Sequence, residues 1–203
     1  MHIDKETYKI REKNRYKTQI AKSQIVLGTS LRWGSNHITR LQHKEYGKTK
    51  KWNTYTISRD GTVFEHFDPK FHSDFLSIKE ADKKSISIVI ENMGCLFKTP
   101  TDKYINWLNE ICPAENIVEK DWLGYAFWEK FTDEQLISTI ELCRHLCEEN
   151  GIPKKMIQFH HYHKDAVKFR GIVFRSNYIE ESSDINPLFH IPEFNKMLHN
   201  EFI

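Results

Sequence analysis

Four adjacent polar residues follow a short apolar run in the last fifth of the chain. The run is residues 171–174, and the side chains that follow bring a guanidinium, a hydroxyl, an amide and a phenol together, on Arg175, Ser176, Asn177 and Tyr178. A guanidinium binds a carboxylate or a phosphate through two parallel hydrogen bonds. Asparagine and tyrosine suit the recognition of a sugar or a base. The pattern predicts a ligand-recognition cluster.

A purely structural role explains the same residues equally well. Arg175 would then pair with Asp184 or Glu91 and brace the turn. Asn177 would form a local hydrogen bond within the turn, as asparagine often does.

A second group of candidate ligand-binding residues follows another short apolar run. Ile25–Leu27 is followed directly by Gly28, Thr29 and Ser30. A residue without a side chain lets a ligand approach the backbone closely, and the two hydroxyl groups add donors. A plain turn at the end of a strand is the alternative.

The composition describes a globular chain. It has 203 residues, 39% of them hydrophobic and 13% aromatic, which suits one domain with room for a subdomain. The net charge of +2 gives no strong signal for nucleic acid. No apolar run reaches the roughly 18–20 residues that span a membrane, and the charged N-terminus lacks the apolar core of a signal peptide. We therefore expect a cytoplasmic protein, whose oligomeric state the sequence does not predict.

The four cysteines do not suggest a zinc ribbon. Cys95, Cys112, Cys143 and Cys147 contain no C-x-x-C pair. The last two lie on the apolar face of a predicted helix, so buried thiols are expected.

The local patterns predict a mixture of strands and helices. Residues 1–22 are a basic arm or helix, residues 23–203 form the domain, and residues 95–131 are an aromatic-rich insertion that covers the sheet. Strands are predicted at Ile25–Leu27, on either side of Asp60-Gly61 as a hairpin, at 85–94 in the centre of the sheet, at 156–163 and at 171–175. Helices are predicted at Ile38–Tyr46, at 132–150 and in the tail.

The helix at 132–150 has the clearest signals. Thr132 and Gln135 form a capping box, and Gly151 ends the helix. The residues predicted to face the core are Leu136, Ile140, Cys143 and Cys147. The intermixed elements indicate an α/β class with a mixed sheet.

The order of these elements resembles the zinc-dependent N-acetylmuramoyl-L-alanine amidases and the peptidoglycan recognition proteins, which share one fold. The resemblance runs from about residue 24 to the end of the chain. It depends most on Arg59–Thr62, on Ser85–Asn92 and on the final Asp-x-x-Pro at Asp184. It implies a single domain with a central mixed β-sheet flanked by helices and a groove along one face.

The chemistry of that family is the hydrolysis of an amide by zinc. Two histidines and an Asp or Cys hold the metal, which polarises the carbonyl and lowers the pKa of a bound water, while a tyrosine or glutamate assists proton transfer. The resemblance implies Asp184 as the last ligand. It also implies that Gly28 stands where the first histidine belongs and that Arg175-Ser176 stand where the second belongs. One carboxylate does not hold zinc, so we expect no cofactor at these positions.

The same resemblance implies residues on the walls of the groove. Asn53 takes the position of the assisting tyrosine, with Tyr55 two residues later. His72 fills the place of a groove histidine that precedes the strand at Ser85–Asn92. Glu91 is either a groove carboxylate or an internal brace.

A relocated metal site is the alternative. In a strand, His161 and His163 would point to one face and His160 to the other. Together with Asp184 they could provide two or three zinc ligands. The simpler interpretation is a set of polar or half-buried histidines that bond to their neighbours.

The sequence therefore favours a diverged amidase-fold protein that lacks the zinc site and binds a muropeptide-like or other small anionic ligand. The predicted ligand-binding residues are Gly28, Thr29, Ser30, Asn53, Tyr55, His72, Arg175, Ser176, Asn177, Tyr178 and Asp184. Two alternatives stay open. One is an active amidase with a relocated metal site, and the other is a phage-type sequestering or inhibitory protein that binds a nucleotide signal or a protein partner.

Overall fold

The computed structural model describes residues 2–32, 38, 50–180 and 182–199. Within them we number eleven strands β1 to β11 in chain order: Ile3–Asp4, Gln24–Thr29, Tyr55–Ile57, Val63–Glu65, Ser85–Ile90, Cys95–Lys98, Tyr104–Ile105, Ile111–Cys112, Ile117–Trp122, Tyr125–Glu129 and Gly171–Phe174. The helices with described bounds are α1 (Lys79–Lys84), α2 (Asp133–Asn150) and α3 (Ile191–His199). The predicted helix at Ile38–Tyr46 lies outside the described residues, apart from Ile38 itself, which is helical and buried.

A six-stranded mixed sheet forms the centre of the fold. Its order is β1-β4-β3-β5-β2-β11, and every neighbouring pair is parallel except β3 and β4. All six residues of β2 and all six of β5 are buried. Continuous apolar runs are typical of parallel strands that are covered on both faces. The mixed α/β class and the central position of the strand at residue 85 are confirmed.

The hairpin around Asp60-Gly61 is also confirmed. β3 and β4 pair antiparallel, with Ile57 opposite Val63. Gly61 has φ +81°, and a Cβ there would lie 2.8 Å from the backbone oxygen of Glu134. Only glycine suits this position, because the turn needs a left-handed residue and also presses against the first turn of α2.

Residues 95–129 form a second, antiparallel sheet with the order β8-β7-β6-β10-β9. Its aromatic residues pack mainly on each other, as in the edge-to-face pair of Tyr104 and Phe127. Asn92, just after β5, joins the two sheets by donating to the Glu129 carbonyl at 3.1 Å.

Helix α2 has the predicted ends. Thr132 and Gln135 form the capping box, and Gly151 follows in the left-handed conformation. Ile140, Cys143 and Cys147 are buried as predicted, whereas Leu136 is only half-buried. Gln135 is fully buried instead, because its side-chain amide donates to the Glu91 carbonyl at 2.6 Å.

The predicted strand at 156–163 is wrong. Only Met156 makes a β-bridge, to Ile172, and the rest of the segment is irregular. The side-chain amide of Asn177 donates to the carbonyls of Phe159 and His161 at 3.0 and 2.9 Å. These side-chain hydrogen bonds take the place of the backbone hydrogen bonds that a neighbouring strand would provide.

The N-terminal residues 2–22 form an extended arm that contains one short strand and one 3-10 turn, with no α-helix among them. β1 pairs in parallel with β4. Further along, the backbone amides of Tyr16 and Ile20 donate to the carbonyls of His72 and Lys70. None of the helices in the described part of the chain is long and apolar enough to cross a membrane.

Candidate functional site

The strand ends of β2 and β11 bring the principal candidate residues together. Phe174 is in register with Leu27, so the residues that follow, Arg175 and Gly28, are neighbours. A Cβ on Gly28 would lie 3.3 Å from the Arg175 Cβ and 3.1 Å from Oδ2 of Asp184. The three positions that the family resemblance singled out therefore meet at one point.

Asp184 is held in this cluster by Thr29. Its Oδ1 accepts a hydrogen bond from the Thr29 backbone N–H at 2.6 Å and another from the Thr29 hydroxyl at 2.7 Å. Asp184 is 2% exposed. Burial raises the pKa of Asp184, and the Arg175 charge and the two Thr29 donors oppose this effect.

Arg175 supplies the positive charge of the cluster. Its Nη1 lies 3.6 Å from Oδ2 of Asp184, and 32% of its side chain is exposed. The guanidinium carbon lies 5.2 Å from the centre of the Phe75 ring. The head group thus lies near a buried carboxylate and an aromatic ring, and about a third of the side chain is exposed.

Several buried polar atoms of this cluster have no hydrogen-bond partner among the described residues. They are Nε of Arg175, Oγ of Ser176 and Oδ2 of Asp184. Buried polar groups are nearly always paired in native proteins, and clusters of unpaired ones call for an explanation. The Arg175 charge at 3.6 Å compensates Oδ2 of Asp184 in part.

These residues do not suit zinc. A catalytic zinc site uses three protein ligands that offer N, S or O lone pairs. Gly28 has no side chain, and a guanidinium has donors only and no lone pair to give. Asp184 alone is left as a ligand, and Arg175 already lies beside its free oxygen.

Ser30 lies at the edge of the same cluster but is engaged locally. Its hydroxyl lies 3.0 Å from the Arg32 carbonyl and 3.3 Å from the Asn92 carbonyl. It connects the end of β2 to the segment after β5.

Asn177 and Tyr178 do not face this cluster as recognition residues. Oδ1 of Asn177 accepts from the Phe174 backbone N–H at 2.7 Å, while its amide binds the 156–163 segment. The Tyr178 hydroxyl donates to Gln24 at 2.6 Å inside the core, and burial raises the pKa of Tyr178. The polar atoms of both side chains are therefore occupied internally.

Asn53 and Tyr55 are likewise internal. Asn53 is 1% exposed, and its amide donates to the Tyr55 carbonyl and to the Thr56 hydroxyl. Tyr55 packs in the main core and its hydroxyl donates to Glu65 at 2.9 Å. Neither side chain is brought to the Arg175 cluster as a wall contact.

His72 lies elsewhere. Its ring stacks on Tyr16 of the N-terminal arm, with the ring centres 4.5 Å apart. It borders a separate cavity that is described below.

The three histidines of the relocated-site alternative are spread over an irregular segment. His160 stacks on Phe174, whereas the exposed His161 and His163 contact Phe159. Burial and Lys120 lower the pKa of His160 to about 4. In the part of the chain that the structure describes, no three His, Cys, Asp or Glu side chains are grouped to hold a metal.

The Glu91 side chain is internal. It is 2% exposed, and the charges that act on it belong to Arg59, Asp60 and Glu129. Burial raises the pKa of Glu91 to about 7, and the Arg59 backbone and side chain oppose the shift. Arg59 itself pairs with Glu129 at 2.9 Å.

A Glu91→Gln variant is expected to gain stability relative to the parent as the pH rises. A folded-state pKa above the unfolded value means that the parent loses stability between about pH 4.5 and pH 7. Glutamine cannot ionise, so the relative gain at pH 8 over pH 4.5 should be about 2–3 kcal/mol. Urea denaturation of both proteins at each pH measures it.

The comparison must be made against the parent at each pH, because His66, with a pKa of about 4 inside the core, weakens both proteins in acid. Glu115→Gln, at an exposed position, is the matched control and should show no such trend. A constant difference between Glu91→Gln and the parent across the range would contradict the buried-charge interpretation.

Two aromatic residues near the cluster were not found from the sequence. Phe75 contacts Arg175, and nothing in its local pattern signals this. Trp107 is 55% exposed, and its indole N–H donates to the Leu31 carbonyl at 2.9 Å, shortly after Gly28. Arg32 lies over its ring. The richness of residues 95–131 in aromatic side chains was the available signal for Trp107.

Comparison with solved structures finds the same fold. The N-acetylmuramoyl-L-alanine amidase LysC from Clostridium intestinale URNW aligns with a TM-score of 0.58 at 12% identity, covering 99% of this chain and 99% of that one. PlyL aligns with a TM-score of 0.59 at 7% identity and covers 100% of both chains. The ectodomain complex of peptidoglycan recognition proteins LCa and LCx, with tracheal cytotoxin bound, gives 0.55 at 11% identity, over 95% of this chain and 94% of that one.

A comparison with curated protein sequences finds no match. The model of the N-acetylmuramoyl-L-alanine amidase family, Amidase_2, matches residues 21–171. Since this match spans well over half of the 203 residues, and since the fold agrees, the chain belongs to the N-acetylmuramoyl-L-alanine amidase family.

Proposed function

We propose that this chain is a non-catalytic member of its family, which binds a muropeptide-like or other small anionic ligand at the Arg175 cluster. The observation that carries the proposal is the contact of Arg175 with Asp184 beside Gly28, at 3.6 Å. An arginine takes the place of a metal ligand and also brings a positive charge of its own.

An arginine in place of the metal site keeps a positive charge there but cannot activate a water molecule for hydrolysis. Zinc in this family would both attract an anionic group and activate a water molecule. A guanidinium also attracts anions, but it does not lower the pKa of a bound water to the range of a metal-bound one. Binding without hydrolysis is the expected result.

The ligand class follows from the shape and charge of the head group. Arginine presents a planar fork that matches a carboxylate in two parallel hydrogen bonds. A muropeptide offers carboxylates, amides and sugar hydroxyls. A related structure, that of the peptidoglycan recognition proteins LCa and LCx, holds tracheal cytotoxin.

Metal analysis and ligand titration of the purified chain test the proposal. We expect well under one zinc per chain by elemental analysis after dialysis against micromolar zinc, no release of peptide from muropeptides, and measurable heat on titration with a muropeptide. Stoichiometric zinc that is lost in a His161→Ala variant would favour the relocated-site amidase instead.

The same titration separates the binding alternatives. Heat with a muropeptide that is lost in an Arg175→Ala variant supports the proposal, whereas nucleotide heat that survives in this variant belongs to another site. Heat with nucleotides alone would favour a sequestering protein, and amide hydrolysis would overturn the non-catalytic assignment.

A further inference from the structure

A cavity of about 550 Å³ lies between the N-terminal arm and the segment that leads into β5. Tyr16 and Ile20 of the arm line the cavity together with His72 and residues of α1. Lys51, Lys79 and Ser77 at its rim are exposed to solvent. A cavity of this volume accommodates a small metabolite.

The cavity is separate from the Arg175 cluster. It lies near Lys83, at the amino end of β5, and near Lys22, just before β2. Arg175 and Gly28 lie at the opposite, carboxyl ends of the parallel strands. A ligand in the cavity would therefore belong to a site of its own.

The lining carries an excess of positive charge. Lys51, Lys79 and Lys83 face two acidic residues, Asp74 and Asp82. Lys79 and Lys83 are one turn apart on α1 and so share one face.

Both acidic residues are engaged by the protein. The two oxygens of Asp82 accept from the backbone N–H groups of Leu76 and Ile78, at 2.7 and 3.0 Å. Oδ2 of Asp74 accepts from the Tyr16 hydroxyl at 3.0 Å.

Two further lysines strengthen the positive field. Lys22 is only 5% exposed, and its ammonium donates to the Lys83 carbonyl at 2.8 Å. Lys50 lies 4.0 Å from the centre of the Tyr16 ring. Together with burial, the charges of Lys22 and Lys83 lower the pKa of His72. A neutral His72 stacked on Tyr16 gives the cavity a rigid, largely apolar wall.

The cations are all lysines. Lysine is a compact point charge with three rotatable donors, and it binds phosphate without the fixed fork geometry of arginine. We propose that this cavity is a second ligand site, which binds a small phosphorylated molecule with its phosphate among Lys51, Lys79 and Lys83 and its body against Tyr16 and His72. The proposal is independent of the function proposed for the Arg175 cluster.

Isothermal titration with inorganic phosphate and with phenyl phosphate tests the site. We expect both to bind the parent chain, phenyl phosphate more tightly because of the apolar wall. A Lys79→Ala/Lys83→Ala double variant should lose at least about tenfold in affinity for both. Lys79 is exposed and Lys83 is half-buried, and neither side chain belongs to the hydrophobic core, so the variant should melt close to the parent.

The matched control is Lys84→Ala, on the same helix. Lys84 does not line the cavity and pairs with Glu80 instead, so its variant should bind as the parent does. Equal losses in the double variant and in the control, or no heat with either phosphate at millimolar concentrations, would overturn the proposal. Equal affinity for phenyl phosphate and inorganic phosphate would exclude the role assigned to Tyr16 and His72.

Discussion

A Gly28→His/Arg175→His double variant is expected to bind zinc at about one ion per chain, where the parent chain does not. With Asp184 the double variant would contain two histidines and one carboxylate, which is a common donor set for zinc. Equilibrium dialysis against zinc, followed by elemental analysis, measures the gain directly, and the readout does not depend on any enzymatic activity.

The geometry around Gly28 supports this expectation. A Cβ at position 28 would lie 3.1 Å from Oδ2 of Asp184 and 3.3–3.4 Å from the Cβ and Cδ of Arg175. The backbone of Gly28 is that of an ordinary strand residue. Replacing Arg175 removes the Cδ contact and frees Oδ2 from its ion pair. The remaining contacts, at 3.1 Å to Oδ2 and 3.3 Å to the Cβ of residue 175, require the neighbours to shift by a few tenths of an ångström.

Neither single variant should hold zinc tightly. Gly28→His alone leaves the Arg175 cation beside the new imidazole, and like charges disfavour a bound metal. Arg175→His alone supplies one histidine and one carboxylate. Adding Asp184→Asn to the double variant should remove the zinc again, because the third ligand is lost. A double variant that folds but stays free of zinc would show that these three positions do not converge as a metal site.

Much of the architecture could be predicted from local sequence signals. The continuous apolar runs of β2 and β5, the turn at Gly61 and the capping box at Thr132 each specify structure over a few residues. Positive φ in a turn and capping at a helix end are satisfied locally, and a short continuous apolar run is consistent with a strand buried in a sheet.

The roles of polar residues were harder to predict. Asn177 and Tyr178 have side chains that could recognise a ligand, yet they bind carbonyls of the 156–163 segment and Gln24 in the core. The residue type does not say which partner a donor will find. The hydrogen bonds from the Asn177 amide to the carbonyls of this segment explain why residues 156–163 do not form the predicted strand.

The proximity of Gly28, Arg175 and Asp184 could be predicted from the family resemblance but not from local sequence signals. The spacing along the chain says nothing of their proximity, because it depends on the parallel register of β2 and β11. The resemblance to the amidases placed all three at one site, and the structure brings them within contact distance. Phe75, which has no counterpart in those motifs, could not be placed in this way.

Arg175→Ala is expected to lower the free energy of unfolding by about 3 kcal/mol, the low end of the range for a broken buried ion pair. The low end applies because 32% of the Arg175 side chain is exposed, whereas only 4% of the Asp184 side chain is. The loss should be greater at pH 8 than at pH 4.5. Without its cation the Asp184 pKa rises further above the unfolded value, so stability falls as the pH rises.

A second substitution distinguishes the loss of the ion pair from a general disruption of the fold. Asp184→Asn combined with Arg175→Ala removes the unpaired charge and should restore part of the stability, which urea denaturation of the four proteins measures as a double-mutant cycle. Arg170→Ala, an exposed arginine immediately before β11, is the control and should change little.

Arg175→Lys distinguishes a brace from a recognition residue. Lysine keeps the positive charge near Asp184, so the variant should melt close to the parent. It lacks the planar fork, so its affinity for a muropeptide should fall at least about tenfold if the contact is bidentate. A titration and a melting curve on the same preparation decide the matter. Parent-like affinity in Arg175→Lys would leave Arg175 as a structural partner of Asp184 and move the ligand away from the ends of β2 and β11.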